Sequence, residues 1–150
     1  MFTLTGCSKG LDRPEAPYMP PTNNYTIVGI DTHNIDLSNW KVTLPITNSS
    51  NKLIEVEPPE ILNYKTNSTL KPFMYDDTDG SLVFYTYPGA STTNSSYSRT
   101  ELREQMVPGS NSTNWKFSDG AVMTGDLAVT GVSQDKEGKD HRIIIMQIHG

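Results

Sequence analysis

The seven residues Ser98-Arg99-Thr100-Glu101-Leu102-Arg103-Glu104 carry the clearest chemical pattern in the sequence. On an extended strand, alternate side chains share a face, so Arg99, Glu101 and Arg103 line up about 6.6–6.8 Å apart. Two guanidinium groups then flank one carboxylate. The face is net positive, and the glutamate can hold both arginines in fixed rotamers. Arginine offers a planar fork that matches a carboxylate and keeps its charge at any working pH. The chemistry on offer is recognition of an anionic, planar group. The plain alternative is a ladder of surface ion pairs, which is common and energetically weak.

A second pattern lies at Arg142 to His149. In a strand there, Ile144, Met146 and Ile148 form one apolar face that calls for burial. The other face runs Ile143, Ile145, Gln147, His149, apolar first and polar at its end. A glutamine and a histidine on so hydrophobic a strand are costly to bury unless they line a cleft or find partners. Metal binding finds less support, because His33 and His141 have no ligand-like spacing to His149. The spacing gives no reason to expect a metal.

These residues need a scaffold, and the composition favours strands. Val, Ile, Thr and Tyr recur in short runs broken by Gly, Pro and Asn. No segment sustains an apolar period of 3.6. A first strand is read at Trp40-Lys41-Val42-Thr43-Leu44, ended or edged by Pro45. Asn48 to Asn51 is a polar turn and Pro58-Pro59 a break. A second strand covers Leu82 to Tyr87, entered through an Asp79-Gly80 turn. Further strands are read at Ser98 to Gln105, Ala121 to Thr130 and Arg142 to His149, with Gln134 to Asp140 as a hairpin loop. The expected fold is an all-β sandwich or jelly roll, with residues 26–150 as the domain and 1–25 as leader and tether. A chain that stops on a strand leaves a bare edge, so the domain is read as lacking its C-terminal strands.

The formal net charge of −5 gives no general reason to expect nucleic acid. A polyanionic partner would need a local basic face such as that of Arg99 and Arg103. With Cys7 as the single cysteine, no disulfide within the chain supports the fold. Leu4-Thr5-Gly6-Cys7 resembles the lipobox of bacterial lipoproteins, which implies lipidation of Cys7, membrane attachment through that lipid alone, and a secreted or envelope-anchored protein. A secretory apolar core has about 7–15 residues, and only six residues precede Cys7, so either the start lies upstream or the match is accidental. The prolines between Ser8 and Thr22 suit a surface tether.

Together the two patterns resemble the R-[ST]-E-[LV]-R and Q-[IV]-H blocks of family 7 polysaccharide lyases, the alginate lyases. Two further blocks are similar, Ile35-Asp36-Leu37-Ser38-Asn39-Trp40-Lys41-Val42-Thr43-Leu44-Pro45 and Asp79-Gly80-Ser81-Leu82-Val83-Phe84. The resemblance implies a β-jelly roll with a groove for an acidic polysaccharide, acting as a monomer. It implies β-elimination, with Arg99, Gln147 and His149 as catalytic residues and Arg99, Glu101 and Arg103 binding substrate. The chemistry so implied needs no metal and no organic cofactor. Ile148 between Gln147 and His149 tilts the expected substrate toward guluronate-containing or mixed blocks. The family's catalytic tyrosine belongs to a later strand with no counterpart in these residues, so the resemblance implies little activity from the 150 residues alone. Two other readings stand beside it: a non-catalytic carbohydrate-binding module of the same fold, and an inactive fragment.

Overall fold

The computed structural model describes residues 3–6, 35–93 and 95–148, the first of these as backbone only. Six strands are present: β1 (Thr3–Gly6), β2 (Trp40–Thr47), β3 (Leu53–Val56), β4 (Met74–Asp76), β5 (Leu82–Phe84) and β6 (Ser98–Glu104). Among the described residues, helix is confined to two short 3-10 turns, Glu60–Asn63 and Phe117–Asp119. Four strands form one sheet in the order β1-β6-β2-β3, and β4 pairs with β5 in a second. All these pairings are antiparallel. The protein is all-β, as its composition indicates.

Local turn chemistry sets the hairpins. Between β2 and β3, the Asn48 side chain accepts hydrogen bonds from the Ser50 and Lys52 amides at 3.0 and 3.1 Å, and Asn51 takes a positive φ of 57°. Asparagine tolerates that conformation better than most residues. Between β4 and β5, Gly80 takes φ 84°, and the Asp79 carboxylate accepts the Ser81 amide at 2.8 Å. Hydrogen bonding from Ser81, its side chain first and its amide second, holds the Asp79 carboxyl below its usual pKa. The Asp36 carboxylate likewise accepts the Ser38 amide just before β2, and Ser38 lowers its pKa in the same way.

One apolar core joins the two sheets. It contains Val42 and Leu44 of β2, Val56 of β3, Leu102 of β6, Met74 and Phe84 of the small sheet, and Leu37, Ile61, Leu70 and Phe73 from the connections. Burying a side chain of this kind contributes roughly 1.5–3 kcal/mol, so the set outweighs any surface ion pair. Ile61 reaches the core from the 3-10 turn after Pro59, a contribution with no periodic signal in the sequence.

Four strand readings need correction. The strand read over Leu82 to Tyr87 is β5, which stops at Phe84. Pro45 does not end the first strand: β2 runs to Thr47, with Pro45 fully buried inside it. Proline has no amide hydrogen, and the pairing with β3 shifts register between Thr43 and Thr47, where that missing donor falls. The Pro45 carbonyl still accepts a bond, from the Ala90 amide at 2.9 Å. Among the described residues, 121–130 and 142–148 form no strand, and the second has only a single bridge position, at Ile144. Leu127, Val129, Ile144 and Ile148 are exposed instead of forming buried faces. Alternation prepares a segment for a sheet, but a strand exists only where another backbone supplies the ladder. The loop between them does form: Gln134 bridges Asp140, with Gly138 at φ 80°.

Gly89 lies where the chain after β5 crosses β2, and a Cβ there would collide with the Pro45 carbonyl oxygen. Gly89→Ala is therefore expected to destabilise the fold by about 1–3 kcal/mol, the usual range for forced overpacking. Denaturant unfolding reads this directly, and an unchanged midpoint would show that the crossing is slack.

Candidate active site

The strand β6 alternates as the sequence indicates. Ser98, Thr100 and Leu102 are buried beneath the sheet, while Arg99 and Glu101 are half-buried and Arg103 exposed on its other face. Antiparallel pairing adds neighbours to that outer face. Glu101 lies opposite Thr43, Arg103 lies opposite Lys41, and Thr43 in turn lies opposite Glu55. The chemistry-bearing residues of three adjacent strands thus meet on one surface.

Their charges are arranged in pairs. Arg99 Nη1 donates to Glu101 Oε2 at 3.0 Å. Lys41 Nζ lies 2.8 Å from Glu55 Oε1, which also accepts the Thr43 hydroxyl at 3.3 Å. Arg103 Nη2 donates to the neutral Asn114 Oδ1 at 3.1 Å. Glu57, next along this face from Glu55, accepts from Gln105 Nε2 and Asn111 Nδ2 at 3.3 Å. Three cations and three carboxylates thus gather here among the described side chains, and Arg103 is the cation bonded to a neutral amide rather than to a carboxylate. Arg99 Nε is buried without a hydrogen-bond partner. An arginine has five N–H donors, so Arg99 keeps donor capacity beyond its bond to Glu101.

The sequence reading missed Lys41. Its alternation with Trp40, Val42 and Leu44 marked it as facing away from the core, which is correct, but its side chain is only 4% exposed. The signal was present in the residue type: a lysine in the middle of a strongly apolar strand needs a carboxylate partner. Glu55 supplies it from β3.

Of the other predicted site residues, Gln147 is exposed on a segment outside any strand, and His149 and Cys7 lie outside the described residues. Gathered on one surface are Arg99, Glu101 and Arg103. No group of three or more His, Cys, Asp or Glu side chains suited to a metal ion occurs among the described residues.

The Lys41–Glu55 pair is asymmetric, since the Glu55 side chain is 42% exposed. Removing lysine frees a carboxylate that water can reach, whereas removing glutamate strands a buried ammonium. We expect Lys41→Met to stay close to the parent in stability. Glu55→Gln should cost about 1–3 kcal/mol, the penalty for leaving a buried donor poorly satisfied. Equal losses in urea unfolding would contradict this burial asymmetry.

A face that offers two arginines, one of them exposed and bonded only to a neutral amide, suits a polymer bearing carboxylate groups, and comparison with known proteins points the same way. No curated protein matches the chain. A family described as alginate lyase matches residues 35–150, which includes β2 to β6 and every residue of the charged face. The chain belongs to the alginate lyase family, and its domain is that of a polysaccharide lyase.

Proposed function

We propose that the protein cleaves alginate by β-elimination at the outer face of β6, with guluronate-containing or mixed blocks as its preferred substrate. The observation that carries this reading is the Arg99–Glu101–Arg103 face within a domain of the alginate lyase family. The block preference rests on Ile148 within Gln147-Ile148-His149.

The reaction is hard because the C5 proton of a uronate is poorly acidic while the adjacent carboxylate keeps its charge. A donor set that neutralises that carboxylate lets the charge left by the C5 proton spread into it, which is electrostatic stabilisation of the transition state. Arg99 supplies a fixed charge and a fork. Gln147 supplies an amide donor, and His149 either a further donor or the base that takes the C5 proton. The electron pair from C5–H forms the C4–C5 double bond as the C4–O bond breaks. A proton then goes to the departing glycosidic oxygen. On this reading its donor is the family's tyrosine, from a strand following the Gln-Ile-His block. The product is a 4,5-unsaturated uronate at the new non-reducing end.

Arg103 and Glu101 have different parts. Arg103, exposed and held by a neutral amide, is placed to meet the carboxylate of a neighbouring sugar. Glu101 restrains Arg99. The jelly roll would close around this face through strands beyond those described, and a lipid on Cys7 would tie the protein to the envelope.

Arg99→Ala should lower turnover of the protein on alginate by roughly 10²–10³-fold, the usual effect of deleting one such donor. The measurement is the growth of ultraviolet absorbance from unsaturated uronate. Turnover within a few-fold of the parent would return this strand to a solvated ion-pair ladder. His149→Asn should largely abolish elimination while circular dichroism stays unchanged, since a histidine changes charge in the working range. A well-folded, active His149→Asn protein would remove the base or donor role.

A further inference from the structure

The buried side of β6 is more polar than a core strand requires. Ser98 and Thr100 are 4% and 0% exposed, beside the apolar Leu102. Valine has the shape of threonine and the same strand preference, so a hydroxyl at the Thr100 position needs a separate reason. Both hydroxyls are bonded to a single crossing segment. Thr100 Oγ1 donates to the Tyr85 carbonyl at 2.6 Å, and the Gly89 amide donates to Ser98 Oγ at 2.5 Å. The same segment is fixed to β2 by the bond from the Ala90 amide to the Pro45 carbonyl at 2.9 Å.

The two hydroxyls sit on either side of Arg99 in the chain, on the opposite face of the sheet. Among the described residues the Arg99 side chain has one bond, from Nη1 to Glu101, while Nε is buried and finds no partner. Glu101 belongs to the same strand, so that bond moves with Arg99 and cannot anchor it to the rest of the fold. What sets the height and tilt of the guanidinium is the backbone of residues 98–100. That backbone is held at its edge by the ladder with β1 and tied from beneath by Ser98 and Thr100, which set its height above the core.

We infer that Ser98 and Thr100 are positioning residues, whose hydroxyls clamp β6 to the Tyr85–Ala90 crossing and so hold Arg99 at the place where the substrate carboxylate binds. The inference rests on the lyase reading for its kinetic consequence, since a small misplacement of a charge-stabilising group can cost about 10²-fold in rate.

The test compares Thr100→Val with Thr100→Ser in the full-length protein. Valine keeps the packing and loses the donor, while serine keeps the donor and loses a buried methyl. If Thr100 positions Arg99, activity follows the hydroxyl: Thr100→Val lowers kcat roughly ten- to a hundredfold with little change in KM, and Thr100→Ser stays within about threefold of the parent even where its Tm is lower. If Thr100 serves only the core, activity follows Tm in both variants, and that result overturns the inference. Ser98→Ala provides the same kcat-against-KM split should Thr100→Val fail to fold. The NMR signal of the Arg99 Nε–H gives a readout independent of turnover. It should broaden or shift in Thr100→Val and persist in Thr100→Ser, and an unchanged signal in both would also overturn the inference. An unsubstituted protein without lyase activity would contradict the proposed function, leaving the clamp to be decided by that signal.

Discussion

The pairing of β2 with β6 is the constraint on which the rest depends. Their register sets Val42 against Leu102 on the core side and Lys41 against Arg103 on the other. Strand geometry permits no intermediate arrangement, because a slip of one residue would send every side chain to the opposite face. Such a slip would bury Arg99, Glu101 and Arg103 in the core and expose Leu102, a loss far larger than any energy available from the ion pairs. Hydrophobic burial on one side thereby fixes the charge pattern on the other. The site needs no separate folding signal of its own.

That coupling explains how an acidic protein can present a surface for an acidic polymer. The net charge is −5, yet the outer face of the main sheet gathers Lys41, Arg99 and Arg103, and Arg103 is bonded there to a neutral amide. Charges farther apart than a Debye length, about 8 Å at physiological salt, are largely screened from one another in water. A bound uronate therefore responds chiefly to the nearest groups. Half-burial of Arg99 and Glu101 strengthens the local field further, and the ion pair between them keeps the desolvation of both within bounds.

How much was legible in the sequence divides along a physical line. The turns at Asn48–Asn51 and Asp79–Gly80 and the loop at Gln134–Asp140 have local causes, an Asx side chain or a glycine at positive φ, and all were readable. So was the outward face of β6, because alternation across a strand is local as well. Burial of Lys41 was less visible, since it depends on Glu55 meeting it from another strand. The segments at 121–130 and 142–148 alternate just as well as β6, yet they form no strand among the described residues. Alternation records a capacity for pairing, and the partner that realises it is encoded elsewhere in the chain. For the same reason Gln147 was legible as a residue type but not as a position relative to Arg99.

The central claim is that Arg99 acts by neutralising the uronate carboxylate, and substrate chemistry can isolate that role. A methyl-esterified alginate oligosaccharide carries no charge at C6, and its C5 proton is already the more acidic. The measurement is the rate of unsaturated-product formation by the parent and by Arg99→Ala, on native and esterified substrates of equal length. The account predicts that the large penalty of the substitution on native substrate shrinks to within about tenfold on the ester, because the neutralisation that Arg99 supplies is no longer needed. An equal penalty on both substrates would contradict it, and would leave Arg99 as a binding or structural residue.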